Sequence, residues 1–242
     1  MKIICDLHTH TIASGHHTKD TVFMLAKTAS EKGLSYLGIT DHSKGMTNGA
    51  KDSYFINLKT LSPLKINGVG MLYGIEANIV DSNGSLDVDD GVLKKLDYAI
   101  ASLHEETFKP QSESANTNAI LKVMDNPFVN IIGHPENAEY PVNFSLICEK
   151  ARETDTIIEL NTESVKKDGY RGNQREKAKE LMLACKKYGC YVSLGSDSHG
   201  KERVGDLSEG VTLLEEVGIS PDKVANTDID LFKYIISKKR NK

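Results

Sequence analysis

Seven of the eight histidines in this 242-residue chain lie just after short apolar runs that are typical of β-strands. His8 and His10 form an H-x-H pair after the first of these runs. The carboxylates Glu76 and Asp197 occupy comparable positions at the ends of other runs. His17 stands outside the pattern, and we expect it to be a solvated neighbour. The candidate metal ligands are His8, His10, His16, His42, Glu76, His104, His134, Asp197 and His199.

The residue types and spacing of this set favour metal binding. Side chains two residues apart in a strand point the same way, so His8 and His10 can hold one cation, as can Asp197 and His199. Imidazole suits zinc, iron and manganese, and a carboxylate can bridge two cations. Without a metal, so many buried imidazoles and carboxylates would carry a large desolvation cost. The nine groups exceed what one tetrahedral site needs, so they predict a cluster of two or three ions.

Each motif alone is weak evidence for a metal. A single histidine at a strand end is more often a hydrogen-bonded core or surface residue. Glu76 or Asp197 taken singly would first be interpreted as the partner of a lysine. The joint pattern is what indicates the cluster.

Apolar, β-branched runs alternate along the chain with stretches of helical periodicity. The alternation predicts parallel strands with right-handed helical crossovers in an α/β fold, arranged as a closed or nearly closed barrel. An open doubly wound sheet is the alternative, but it would place ligands at one switch point, whereas candidate ligands follow nearly every run. The predicted strands are 2–7, 35–40, 70–76, 97–103, 129–133, 156–161 and 190–195. The predicted helices are 20–32, 53–61, 88–95, 115–125, 143–153, 173–188, 207–217 and 228–238.

Composition narrows the possible partners and the location. A net charge of −4 argues against a surface that coats nucleic acid, although a local basic patch stays open. No apolar run approaches the roughly 20 residues that cross a bilayer, and the N-terminus lacks the apolar stretch of a signal peptide. We therefore expect a cytoplasmic protein with no membrane partner. The cysteines Cys5, Cys148, Cys185 and Cys190 lack zinc-ribbon spacing and are expected in the core.

Taken together, the ligand motifs resemble those of the PHP (polymerase and histidinol phosphatase) superfamily, and most closely its YcdX-like stand-alone phosphatases. The resemblance covers almost the whole chain, and all nine ligand positions are present. It implies one domain over residues 1–242, with the fold of a distorted (β/α)7 barrel and a metal site at the C-terminal ends of the strands. The motifs are D-L-H-T-H, S-G-H, I-T-D-H-S, G-I-E-A-N, S-L-H-E, I-G-H-P-E-N, E-L-N and L-G-S-D-S-H.

The resemblance, rather than the spacing, also implies how the ligands are divided. It implies zinc as the cofactor, in two to three ions with three favoured, and manganese or iron as alternatives. Three groups of residues would each hold one ion: His8, His10, Glu76 and Asp197; Glu76, His104 and His134; and His16, His42 and His199.

Such a centre predicts hydrolysis of a phosphate ester by a metal-activated hydroxide. Closely spaced divalent ions lower the pKa of bound water to about 7 and neutralise charge on the phosphate and the leaving oxygen. We expect a small phosphorylated substrate, with Glu76 and Asp197 as catalytic residues. Histidinol phosphate is one candidate substrate, although the chain looks short for that branch. No separate general base is assigned, because His10 and Asp197, the candidates for assisting proton transfer, are not free from ligation.

Three cations near the predicted site are candidates for binding the phosphate: Lys44, Arg171 and Arg203. Arg203 is preferred as a catalytic residue because it follows His199 on the same predicted loop and a guanidinium matches phosphate geometry. The competing interpretation of each cation is a solvated surface charge. Asp6 and Asp41 neighbour ligand histidines and are candidates for orienting imidazoles, with loop or cap carboxylates as the alternative.

Other functions stay open at this point. An amidohydrolase-like enzyme acting on C–N bonds also begins with H-x-H, but it usually needs fewer ligands. A non-catalytic metal-binding module would typically have lost ligands. A PHP-type nuclease is a further alternative, which the acidic balance disfavours. An assembly of identical subunits is neither predicted nor excluded.

Overall fold

The computed structural model describes residues 1–15 and 18–242, in which nine β-strands alternate with eight α-helices. The alternation confirms the α/β class. The strands are β1 (Cys5–Asp6), β2 (Tyr36–Ile39), β3 (Lys65–Ile66), β4 (Val69–Tyr73), β5 (Glu76–Asn78), β6 (Ile100–Ser102), β7 (Ile131–Ile132), β8 (Ile157–Asn161) and β9 (Val192–Gly195). The helices are α1 (Val22–Glu31), α2 (Asp52–Leu61), α3 (Asp90–Leu93), α4 (Glu113–Val123), α5 (Phe144–Thr154), α6 (Arg175–Tyr188), α7 (Ser208–Val217) and α8 (Ile229–Arg240).

The strands pair in the orders β1-β2-β4-β3 and β5-β6-β7-β8-β9, and every pair except β3–β4 is parallel. Isolated parallel bridges between Thr9 and Ser198 and between His42 and Glu76 join the two sheets on both sides. β4 and β5 are consecutive halves of one strand path. The pairings therefore run around a circuit of seven parallel strand positions, which is the distorted (β/α)7 barrel that the family resemblance implies.

The predicted strand 70–76 differs most from the structure. It is divided into β4 and β5, and a short antiparallel strand, β3, precedes it. The turn between β3 and β4 is Asn67-Gly68, with φ of 50° and 84°. Two successive left-handed residues are typical of a type I′ hairpin turn, for which Asn-Gly is a favoured sequence.

The helices agree with their predicted positions to within a few residues, because apolar periodicity and end signals coincide. α1 begins after Thr21, whose side chain accepts a hydrogen bond from Met24 N, 3.4 Å away. α6 ends at Tyr188 and is capped by Gly189, which has a φ of 70°. The inward face of α6 carries the buried residues Ala178, Leu181, Met182 and Cys185.

The core lies between the strands and the surrounding helices. Its largest apolar cluster packs α4, α5, α6 and α7 against β6 to β9. All four cysteines are buried and free of disulfides, which confirms that they are core residues. Within the described ranges, no helix has the length and apolar character needed to cross a bilayer.

Candidate metal centre

Eight of the nine predicted metal ligands meet at the C-terminal ends of the barrel strands. Their side chains are nearly buried, and the most exposed of them, His199, is 15% exposed. The ninth predicted ligand, His16, lies outside the described residues, as does His17. The eight are His8, His10, His42, Glu76, His104, His134, Asp197 and His199.

Glu76, the first residue of β5, occupies the middle of the group. Its Oε1 lies 3.0 Å from His134 Nε2 and 3.3 Å from His104 Nε2. Its Oε2 lies 2.8 Å from His42 Nδ1 and 3.3 Å from His8 Nε2. Both oxygens thus face imidazoles that come from different strands. This arrangement suits a carboxylate that bridges two cations.

Asp197 presents its two oxygens to different environments. Its Oδ1 lies 3.1 Å from His10 Nε2 and 3.6 Å from His8 Nε2. Its Oδ2 accepts hydrogen bonds from Arg171 Nε and Nη2 at 3.1 and 2.7 Å, and from Asn161 Nδ2 at 2.9 Å. Oδ1 therefore faces the imidazoles, while Arg171 and Asn161 fix the position of Oδ2.

The ligand atoms form overlapping groups of three. In each group the atoms lie within 4.8 Å of one another, close enough to hold one ion. Because the groups share Glu76, His10 and His42, they describe adjacent positions rather than separate sites. The groups are His8, His10 and Glu76; His42, Glu76 and His104; and His10, His42 and His199.

The buried polar atoms of the centre fit a set of cations. Four of them make no hydrogen bond to any residue in the described ranges. Leaving a buried polar group unsatisfied costs about 1–3 kcal/mol. A divalent cation would satisfy these atoms at once, and nitrogen and carboxylate oxygen are donors that zinc prefers. The four atoms are His8 Nε2, His10 Nε2, Glu76 Oε2 and Asp197 Oδ1.

Both central carboxylates are held in the charged form. Burial on its own would raise the pKa of Glu76, but the imidazoles of His8, His104 and His42 lower it well below its usual value. Burial opposes ionisation of Asp197 in the same way, and His8 and Arg171 lower its pKa well below its usual value. The centre therefore offers negative charge to cations at neutral pH.

Three of the imidazoles favour the neutral form that metal binding requires. Burial is the main cause of the lowered pKa of His10, and His199 and His42 lower it further. Burial, followed by the charge of Arg171, lowers the pKa of His134 to about 4. The pKa of His199 is also lowered, mainly by burial. These imidazoles can therefore ligate a metal at neutral pH without losing a proton.

Hydrogen-bonding partners orient the imidazoles from the side away from the ligand atoms. His8 Nδ1 lies 2.7 Å from Glu159 Oε1. His104 Nδ1 lies 2.6 Å from Asn78 Oδ1. Sequence reasoning missed both partners, although a signal was present. Glu159 is a carboxylate within an apolar strand, and Asn78 lies two residues after Glu76 and so shares its direction along the strand.

The structure separates the two carboxylates that were expected to orient imidazoles. Asp41 Oδ1 accepts a hydrogen bond from Ser14 Oγ at 2.7 Å. Ser14 Oγ in turn lies 2.8 Å from His10 Nδ1, so Asp41 orients the His10 ring through Ser14. Asp6 accepts hydrogen bonds from the backbone N–H groups of His8, Ser196 and Gly205. Of the two alternatives for Asp6, the contacts fit the loop carboxylate, because it binds the backbone after β1 and β9 and not a ring.

Two of the predicted ligands have an uncommon backbone conformation. His134 has a φ of 30° and Asp197 a φ of 48°, in the left-handed region that non-glycine residues rarely adopt. Backbone hydrogen bonds hold both residues: His134 N donates to Glu159 Oε2 at 2.8 Å, and Asp197 N donates to His8 O at 2.8 Å. Such strain is concentrated at functional sites.

A cavity of about 900 Å³ opens over the centre. Three of the predicted ligands, His42, His104 and His199, line it together with residues from the loops after β2, β7 and β8. The loop residues are Met46, Asn137, Ala138, Glu139, Tyr170, Arg171, Gly172, Asn173 and Gln174. The cavity therefore gives access to the ligands and is the size of a small-molecule site.

The three predicted phosphate-binding cations differ in position. Arg171 lines the cavity, and its side chain is 14% exposed. Lys44 Nζ pairs with Asp52 Oδ2 at 2.9 Å. Arg203 pairs with the buried carboxylate of Glu163 and is not among the described residues that line the cavity. The geometry therefore favours Arg171 over Arg203, because the short helical turn at Lys201–Arg203 directs the Arg203 side chain to Glu163.

Known proteins resemble this chain in sequence and in fold. The profile of the PHP domain family matches residues 6–208. A Clostridium novyi protein named "probable phosphatase" is 43% identical over 98% of this chain and 96% of its own. A Thermoanaerobacter sp. protein of the same description is 40% identical, over 100% of this chain and 98% of its own. Histidinol phosphate phosphatase from Lactococcus lactis, solved with zinc, L-histidinol and phosphate, has a TM-score of 0.61 at 18% identity, over 89% of this chain and 94% of its own.

Proposed function

The chain belongs to the PHP domain family, and on that basis we propose that residues 1–242 form one metal-dependent phosphatase domain with a centre of three zinc ions. Its substrate would be a small phosphate ester. The observation that carries the proposal is the group of four buried candidate ligand atoms without hydrogen bonds, next to the residues His42, His104 and His199, which line a cavity of small-molecule size.

The ligands would be divided among the ions around Glu76. His8 and His10, which also face Asp197, lie on one side of this carboxylate, and His104 and His134 lie on the other. His42 and His199 would bind the third ion, with His16 added by resemblance to the family. When bound, divalent ions lower the pKa of a bound water, so that it can be hydroxide at neutral pH, and they neutralise charge on the phosphate. Zinc is the first choice because the Lactococcus lactis structure was solved with it.

The phosphate would lie between the centre and Arg171. The two hydrogen bonds from Arg171 to Asp197 use the Nε–Nη2 edge of the guanidinium, and neither uses Nη1. Nη1 is therefore the group that we assign to a phosphate oxygen, because charge-assisted bonds from arginine suit this geometry. Tyr170, Asn137 and Gln174 line the rest of the cavity, where the leaving group would lie.

The test is a substrate panel on metal-loaded protein. Protein stripped with a chelator and reloaded with zinc is expected to hydrolyse p-nitrophenyl phosphate, and emission spectrometry is expected to find two to three zinc ions per chain. Bis-p-nitrophenyl phosphate tests the nuclease alternative, and dihydroorotate, a cyclic amide, tests the C–N hydrolase. Turnover of the cyclic amide with no turnover of either phosphate ester would overturn the proposal.

Arg171→Gln is expected to raise KM for p-nitrophenyl phosphate by about ten- to one-hundredfold, because a hydrogen bond to a charged group contributes about 1.5–3 kcal/mol. Steady-state kinetics on zinc-loaded protein measure the change. Arg175→Gln is the matched control, since Arg175 pairs with Glu216 at 2.7 Å and does not line the cavity. An unchanged KM in the Arg171 variant would remove this residue from the phosphate site.

A further inference from the structure

Glu163 is a buried carboxylate that neither the sequence motifs nor the proposed chemistry uses. It lies in the helical turn Thr162–Ser164 directly after β8, and its side chain is 0% exposed. Two cations pair with it: Lys166 Nζ lies 3.0 Å from Oε1, and Arg203 Nη1 contacts Oε2. The backbone N–H of Tyr170 also donates to Oε2, at 3.3 Å.

These contacts join two loops that carry residues of the site. The loop after β8, residues 165–174, carries Tyr170 and Arg171. The loop after β9, residues 196–206, carries Asp197, His199 and Arg203. Glu163 binds the first loop through Tyr170 N and the second through Arg203. Lys166 adds a second connection between the loops, because its Nζ also lies 2.7 Å from Asp206 Oδ2.

The backbone of the first loop packs closely against Glu163. A Cβ atom added at Gly169 would lie only 1.9 Å from Glu163 O, so this position requires glycine. One residue further on, Tyr170 N is held by the Glu163 carboxylate, while Tyr170 OH donates to Asp197 O at 3.1 Å. Arg171 follows directly, with its guanidinium on Asp197 Oδ2. The position of Arg171 over the centre therefore depends on contacts that begin at Glu163.

A buried charge network of this kind contributes little net free energy to the stability of a fold. Buried ion pairs lose much of their attraction to desolvation, and apolar replacements are often as stable. Their best-supported use is to specify one geometry. Here the geometry that they specify is that of the cavity wall above the ligands.

We propose that Glu163 is a positioning residue, which fixes Arg171 over the metal centre by binding the 165–174 loop to Arg203. The proposal rests on the proposed phosphatase function for its kinetic consequence. Its structural consequence, the anchoring of the loop, does not depend on that function.

The experiment combines hydrogen exchange with a double-mutant cycle. Glu163→Gln keeps the shape of the side chain and removes its charge. The variant is expected to speed amide exchange of Tyr170 by about tenfold or more, since the opening of a local contact sets this rate. It is also expected to raise KM for p-nitrophenyl phosphate by about tenfold in the native background, and by less than twofold in an Arg171→Gln background, because coupled residues are not additive.

Glu216→Gln is the matched control. Glu216 also binds one arginine and one lysine, Arg175 at 2.7 Å and Lys179 at 2.5 Å, but it lies on α7 away from the cavity. Its variant is expected to leave Tyr170 exchange and KM unchanged. If Glu163→Gln does not fold, Arg203→Gln tests the same contact from its exposed side, since the Arg203 side chain is 38% exposed.

The outcomes separate the two proposals. Fast Tyr170 exchange in a protein that hydrolyses no phosphate ester would support the anchoring by Glu163 and reject the phosphatase. Native exchange of Tyr170 in the Glu163 variant, or an equal rise in KM in both backgrounds, would reject Glu163 as a positioning residue.

Discussion

Glu76→Gln is expected to lower kcat for p-nitrophenyl phosphate at least about a thousandfold, because the pKa of the attacking water is lowered only when the metal ions are bound in their proper positions. Both Glu76 oxygens face imidazoles, at 2.8 to 3.3 Å for the four nearest rings. An amide replaces one of these oxygens by an N–H₂ donor, which cannot ligate a cation, and it removes the charge that offsets the metals. We expect the variant to bind fewer zinc ions per chain than the native protein does.

Emission spectrometry and steady-state kinetics on the same preparations measure both effects. Asp155→Asn is the matched control, because Asp155 is also a buried carboxylate, with its side chain 1% exposed and Lys238 Nζ 2.7 Å away. Asp155 precedes β8, at the opposite end of the barrel from the ligands, so its variant is expected to lose stability and keep its zinc. A Glu76 variant with a full metal content and native kcat would contradict the central position of this carboxylate.

Removal of the metals is expected to lower the Tm by about 8–16 °C and to abolish hydrolysis. Free ligand at about a thousand times its Kd stabilises the folded state by roughly 4 kcal/mol. For a chain of this size, each kcal/mol shifts the Tm by about 2–4 °C. The physical cause is the set of buried polar atoms that the ions would satisfy, among them His10 Nε2 and Asp197 Oδ1.

Thermal unfolding in chelator and in buffered zinc measures the shift. The Glu76→Gln variant serves as the comparison, since it is expected to show a smaller response to zinc. Native protein that melts at one temperature with and without zinc would show that the imidazoles do not hold ions in the folded state.

The strand pattern of the sequence was sufficient to predict that the eight described candidate ligands meet, because they lie in or just after strands and parallel strands bring their C-terminal ends to one face. His8 and His10 show this directly, since their ligand atoms lie within 4.8 Å of each other and of Glu76. Asp197 and His199 have the same spacing but lie beyond β9, which ends at Gly195, and Asp197 has a left-handed backbone. His199 Nδ1 lies 3.6 Å from Asp197 Oδ1.

Loop conformation is the part that spacing could not predict. Arg203 follows His199 by four residues, yet its guanidinium lies on Glu163, while Arg171 comes to Asp197 from the loop after β8. Neither position depends on a periodic pattern. The Asn67-Gly68 sequence indicates the β3–β4 hairpin, but the apolar pattern alone did not predict it.

The contact between the first and last strands has a consequence for biosynthesis. Thr9 and Ser198 form the bridge that joins the two ends of the circuit, and Ser196 N donates to Asp6 across 190 residues of chain. Two of the proposed ligands, Asp197 and His199, belong to this last segment. A nascent polypeptide therefore cannot bring together its full set of candidate ion-binding groups until this segment has emerged from the ribosome. Under the proposed function, binding of the full set of metal ions would follow the synthesis of this segment.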